Sequence, residues 1–318
     1  MALRIDAHMH LGLNGDTAGS VLRRMDDRRM DACILLTWEE VDPAVPQRHM
    51  DLPPEPLLEA AAEHPGRFVP FYAPDPGRPD PVETLRTFSL RGIRGCGELK
   101  VGRLWSDALI RPYLEEVNRL GQALVIHMED PGWHYVQEKE GRPEYVFERL
   151  MNTKYNGLGR HRMEQLARHT GLFRNKIRNN RVPFPGILYD FEGLESRLRE
   201  YPDLRVVGHG PGFWNHIARD QDPRRIHQKG PIREFGIIDR LLEECPNLYC
   251  DLSGTSGFNA MKRDPERSRI FLQKHSDKVM FGTDNTAYPL EELLHDLRLG
   301  TACLNKILGG TAEKVLLG

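Results

Sequence analysis

The sequence predicts an α/β protein folded as a (β/α)8 (TIM) barrel with a long insertion between the fifth and sixth strands. Three observations predict it. Eight short apolar runs recur along the 318 residues. Helical patterns fill most of the gaps between them. The first run ends in His-Met-His, where a doubly wound open sheet usually carries a glycine-rich phosphate turn.

In order, the runs are Arg4 to His8, Ala32 to Thr37, Phe68 to Ala73, Gly92 to Val101, Ala123 to Met128, Arg205 to Gly208, Leu248 to Leu252 and Val279 to Gly282. Each is rich in Val, Ile, Leu, Phe or Tyr, as strands are. Between them lie segments such as PEPLLEAAAEHPGRF, DPVETLRTFSL, SDALIRPYLEEVNRLGQ and IREFGIIDRLLEECPN, with apolar residues at helical spacing and Pro, Ser or Asp near their starts. Eight strands with helical crossovers suggest a closed barrel, read as one domain over residues 1–318. Barrel sites assemble from the C-terminal ends of the strands, so polar residues just after each run become the candidates.

One connection, from about Pro131 to Pro202, is much longer than a crossover helix and is expected to cover the C-terminal face. From Arg149 to Arg181 it holds nine basic residues against a single acidic one, Glu164. That local field reads first as a solvated surface or a subunit contact and second as a site for an anionic substrate.

The net charge of -2 provides no global basic field, which argues against nucleic acid and anionic membrane as partners. No run approaches the roughly 18 apolar residues of a membrane span, and MALRIDAHMH enters a strand without signal-peptide architecture; the expectation is a cytoplasmic chain. Five scattered cysteines without C-x-x-C spacing read as reduced core residues. The expected partner is a small-molecule substrate, and a homo-oligomer stays open.

The chemistry sits at strand ends. His8 and His10 are two apart on the first strand and point to one side, so both imidazoles can approach one metal ion. His127 closes ALVIHMED after the fifth strand, His209 closes RVVGHGPG after the sixth, and Asp284 closes VMFGTDN after the eighth. Imidazole with carboxylate suits Zn, Fe, Mn, Ni or Co, with Zn(2+) the first expectation. On this reading Asp284 serves a metal-bound water as general base, and His209 polarises a carbonyl or binds a second ion.

Together, IDAHMH, VIHMED, VVGHGPG, NLYCDLSG, FGTDN and the closing KILGGTAEKVLLG resemble the amidohydrolase superfamily, in particular amidohydrolase family 2. The resemblance spans the chain. It implies a barrel enzyme that hydrolyses amides, lactones or related bonds, or that decarboxylates aromatic acids without oxidation. It also implies His8, His10, His127 and Asp284 as ligands of the main metal, with His209 as ligand or electrophilic helper.

The fourth strand leaves more open. GCGELKVG places Glu98 and Lys100 two apart, and either can bridge two metals or touch substrate, with a structural ion pair between them as the alternative; Glu98 stands ahead of Lys100 because it ligates without modification. One or two ions are therefore in view. Trp133 and Trp214, just after ligand candidates, are candidate substrate walls, and Asp251 and Ser253 read first as local hydrogen-bonding groups and second as residues that orient a ligand histidine or contact substrate. The reading is a metal-dependent hydrolase acting on a carbonyl-centred bond of a small, by the basic insertion anionic, molecule. Its rivals are a non-oxidative decarboxylase, a TatD-like nuclease and a non-catalytic ligand-binding barrel.

Overall fold

The computed structural model describes residues 3–39, 51–135, 181–222 and 227–318. Its strands, in chain order, are β1 (Ile5–Met9), β2 (Ala32–Trp38), β3 (Phe68–Ala73), β4 (Cys96–Leu99), β5 (Leu124–His127), β6 (Gly132–Tyr135), β7 (Arg181–Phe184), β8 (Val206–His209), β9 (Leu248–Asp251) and β10 (Val279–Met280). Two parallel arcs result, β1-β2-β3 and β4-β5-β8-β9-β10. Backbone hydrogen bonds join them at both seams. Tyr72 N–H donates to Gly95 O (3.1 Å) and Arg94 N–H to Pro70 O (2.9 Å) at one, and Ala7 N–H donates to Phe281 O (2.9 Å) at the other. Hydrogen bonding thus runs round eight strands and returns to β1, the ring of a (β/α)8 barrel.

All eight expected strands are present, and their ends differ for local reasons. The fourth run shrinks to Cys96–Leu99 because Gly92, at φ 113°, ends the helix Pro81–Arg91 in a left-handed C-cap. β2 is buried along its whole length, as a strand is when helices cover one face and a barrel interior the other. Inside the barrel, Ile5, Ala7, Ile34, Leu36, Val125, Val207 and Met280 pack together, and the C-terminal residues Ala312, Val315 and Leu316 join that cluster. Met9, Leu35, Ile126 and Cys250 belong to the outer layer beneath the helices.

Two site-bearing strands break their alternation. Ala7 belongs to the interior cluster and Met9 to the outer layer, although they are two apart; pairing with β2 shifts register between Asp6 and Met9. In β4, Cys96 and Leu99 are three apart and both lie in the outer layer, again across a register shift. Irregularities of this kind re-aim side chains at barrel rims. Here they leave His8 and Glu98 facing the mouth.

The excursion after β5 begins with an antiparallel pair, β6 against β7, with Trp133 opposite Pro183. Its far end corrects the expected boundary at Pro202. Phe191–Glu200 is a crossover helix that buries Leu194 and Leu198, so it belongs to the barrel's regular βα rhythm. The basic residues from Arg149 to Arg178 lie outside the described residues, and Arg181 is described only as backbone in β7. Cys33, Cys96, Cys245 and Cys250 are buried free thiols. No helix among the described residues is long and apolar enough to cross a membrane.

Candidate metal centre

His8 and His10 face each other at the mouth, with their Nε2 atoms 3.2 Å apart. Each ring is held from behind. The Asp251 carboxylate lies 3.0 Å from His8 Nδ1, and the Leu36 carbonyl lies 2.8 Å from His10 Nδ1. A carbonyl only accepts, so His10 Nδ1 carries its proton, and an ionised Asp251 assigns His8 the same tautomer. With both Nδ1 protons turned outward, the two Nε2 atoms face each other and can share one cation. A 3.2 Å separation is short enough for both nitrogens to contact one ion.

Glu98 stands at the centre of the cluster. Oε1 accepts from His127 Nδ1 at 2.7 Å and lies 3.9 Å from His8 Nε2 and 3.8 Å from His209 Nε2. Oε2 lies 3.9 Å from His10 Nε2 and 3.6 Å from Lys100 Nζ, and it is buried without a hydrogen-bond partner among the described residues. One carboxylate therefore reaches all four histidines and the lysine. Burial opposes its charge, but Lys100, His127 and His8 outweigh burial and hold it well below the usual carboxylate range. His127 is pushed down to about 4 by burial and by the Lys100 charge, so it stands neutral.

Asp251, at the end of β9, is shared between two strands. Oδ2 takes the His8 contact, and Oδ1 lies 2.9 Å from His209 Nδ1. Ser253 N–H donates to the same Oδ1 at 3.0 Å. The carboxylate sets both imidazoles with Nε2 inward, the work of a carboxylate behind a metal-ligating histidine. Burial opposes ionisation of Asp251, and His209 with His8 holds its pKa well below normal despite this. For His8, burial disfavours the charged ring, yet Asp251, Glu98 and Asp284 raise it to about 9. So strong a negative field around buried groups favours a cation.

Asp284 follows β10, and its Oδ1 lies 3.3 Å from His10 Nε2. It too is held below the usual carboxylate range: burial opposes this, and the adjacent His10 and His8 prevail. Donor atoms able to share one ion group as His8–His10–Glu98, as Glu98–His127–His209 and as His8–His209–Asp251. The first two share Glu98.

The structure thus brings together His8, His10, Glu98, Lys100, His127, His209 and Asp284. Lys100 is buried, with Nζ 4.5 Å above the Trp38 ring. Trp214 is a correction. It is buried in the core, edge-on to Phe213 and Phe271, and its Nε1–H donates to the Asp251 carbonyl at 3.0 Å; as a large apolar side chain it fills the layer behind β9 rather than a substrate wall. Trp133 lies on β6, and its side chain is outside the described residues. Asn285 and Trp38 escaped the sequence reading, because neither stands in a ligand pattern. The one available signal was their position just beyond the ends of two apolar runs.

The family model described as Amidohydrolase matches residues 5–317 of the chain. No curated protein matches it. Among solved structures, the chain is similar to a probable 2-pyrone-4,6-dicarboxylic acid hydrolase from Acinetobacter baumannii with citric acid bound, at 12% identity over 99% of both chains and a TM-score of 0.55. It is also similar to 5-carboxyvanillate decarboxylase from Sphingomonas paucimobilis, at 15% identity over 95% of this chain and 83% of that one, with a TM-score of 0.52. A third is a dihydroxybenzoic acid decarboxylase from Polaromonas with bound manganese and the inhibitor 2-nitroresorcinol, at 16% identity over 100% and 97% of the two chains and a TM-score of 0.53. At such identities the structural likeness is one of fold, and a fold hosts many chemistries. With a family model matched over nearly its whole length and a histidine–carboxylate cluster at the mouth of its barrel, the chain belongs to the amidohydrolase family of enzymes.

Proposed function

We propose that the protein is a metal-dependent hydrolase that adds water to a carbonyl-centred bond, an amide, a lactone or a relative, in a small molecule carrying negative charge. The observation that carries this is the pair of inward Nε2 atoms, 3.2 Å apart, with Glu98 Oε2, which has no hydrogen-bond partner among the described residues, beside them. These donors fit a divalent cation, zinc by preference for nitrogen and oxygen donors, in the His8–His10–Glu98 group with Asp284 alongside. The Glu98–His127–His209 group offers a second position. Bound there, such an ion supplies Lewis acidity and brings the pKa of a water toward about 7.

The protein's own groups do the rest. Asp284, ionised and partly exposed at the mouth, accepts the proton of the attacking water and returns it to the leaving group. His209 keeps its Nδ1 proton on Asp251 and so turns Nε2 inward, toward the second position or a substrate oxygen. Lys100, flanked by the Trp38 face, directs a buried positive charge at an anionic substituent. A second reading, decarboxylation of an aromatic acid, is favoured by the fold shared with two decarboxylases. It needs Asp284 protonated at the outset, whereas Asp284 is held below the usual carboxylate range.

The test is a panel of lactones, amides and hydroxybenzoates assayed with the chelated and the zinc-, manganese- or cobalt-reloaded enzyme. Hydrolysis that disappears with the metal, and that Asp284→Asn abolishes while the metal stays bound, supports the proposal. Full activity after chelation defeats it, and carbon dioxide release without hydrolysis moves the assignment to decarboxylation.

A further inference from the structure

Asn285 lies one residue beyond Asp284 and contacts the backbone of His10 from both sides. Its Oδ1 accepts from His10 N–H at 2.8 Å, and its Nδ2 donates to the His10 carbonyl at 2.8 Å. His10 follows Met9, the last residue of β1, so these two bonds continue the pairing of the first and last barrel segments past the end of the ladder. The preceding residue joins in, since Asp284 N–H donates to the His8 carbonyl at 2.7 Å. Residues 284 and 285 therefore grip the backbones of both histidines on β1.

Backbone and side chain select asparagine together. Asp284 and Asn285 have φ of 51° and 54°, a left-handed pair that turns the chain back along β1. Asn tolerates that region better than most other non-glycine residues. The clamp is anchored away from the mouth. Asn285 Nδ2 also donates to Asp16 Oδ2 at 2.6 Å, and Asp16 accepts from Ser20 Oγ at 3.1 Å and pairs with Arg24 at 2.7 Å, both on the helix Ala18–Asp27.

We infer that Asn285 is a positioning residue that sets the His10 imidazole against Asp284 and Glu98; the inference rests on the metal-site reading proposed above. It touches no donor atom of the cluster, and it acts through the His10 backbone. Without it, the 3.3 Å approach of His10 Nε2 to Asp284 and the 3.2 Å spacing to His8 lose their support at the strand end.

The test is cobalt titration of the full-length apo-protein, followed by visible absorption and chelator competition. Far-UV circular dichroism serves as the fold control. Asn285→Ala is expected to bind cobalt about 10- to 100-fold more weakly than wild type, with a changed visible spectrum and an unchanged fold. Asn285→Asp keeps the acceptor but turns an oxygen toward the His10 carbonyl and Asp16, so it weakens cobalt as well. Adding Asp16→Asn to that variant returns a donor and recovers part of the loss, a coupling that a merely structural site would not show. If Asn285→Ala fails to fold, the Asn285→Asp and double variants decide. Wild-type affinity and spectrum in the Asn285 variants overturn the inference while leaving the metal reading intact. A wild-type protein that binds no cobalt defeats both.

Discussion

Asp251 divides its carboxylate between His8 and His209, 3.0 Å from one Nδ1 and 2.9 Å from the other. One side chain on β9 thus fixes the tautomers of two histidines that arrive from β1 and β8. Asp251→Asn is nearly isosteric, yet its amide offers an acceptor to only one of the two N–H groups. Metal affinity is expected to fall about 10- to 100-fold, with turnover falling alongside. Chelator competition and steady-state kinetics measure both; equal affinities would show that the two rings hold their orientation without this carboxylate.

Metal removal should register in stability as well as activity. A ligand present at 100 times its dissociation constant stabilises the native state by about 2.7 kcal/mol. For a chain of this size that is a rise of about 4 °C in Tm, read by scanning calorimetry of chelated and reloaded protein.

Trp214→Phe separates packing from substrate contact. The substitution keeps an aromatic ring between Phe213 and Phe271 and deletes the hydrogen bond to the Asp251 carbonyl. A loss of about 1–2 kcal/mol in urea denaturation is expected, with KM within twofold of wild type. A tenfold rise in KM would return Trp214 to the substrate wall.

Acid sensitivity has a source remote from the site. Glu116 joins the helix Ile110–Arg119 to the helix Pro81–Arg91: its Oε1 accepts from Arg86 Nε and its Oε2 from Arg86 Nη2, each at 2.9 Å. Hydrogen bonding from Arg119, against burial and aided by Arg86, pulls its pKa from 4.5 to about 2. A pKa depressed on folding contributes stability that is present above pH 4.5 and lost as pH falls toward 2. The shift corresponds to about 3 kcal/mol at most, and the exposed arginines reduce this to about 1–2 kcal/mol. Glu116→Gln should lie that far below wild type at pH 7 and converge with it near pH 2 in denaturant titrations. A gap independent of pH would assign the loss to packing alone.

The barrel was legible because strand runs and crossover helices leave periodic traces in the chain, and each of the eight expected strands is present. That His8, His10, His127, His209 and Asp284 come together was legible because barrel geometry converges the residues that close those runs. The excursion expected to run to Pro202 includes at its end the helix Phe191–Glu200, whose apolar face is the spaced set Phe191, Leu194 and Leu198. Trp214 was misplaced. Following a ligand in sequence does not decide on which side of the strand layer a ring packs.

By itself the sequence determined the order of elements, the chemical types of the donors and their places at strand ends, because periodicity and residue identity are local properties. Tertiary structure alone decided that Glu98 lies within 4 Å of four imidazoles, that Asp251 serves two of them, and that Asn285 clamps the backbone of a third. It decided the register shifts in β1 and β4 as well, which turn His8 and Glu98 toward the mouth. These relationships join residues up to 275 positions apart. They depend on closure of the ring, and no local pattern encodes which partners that closure brings together.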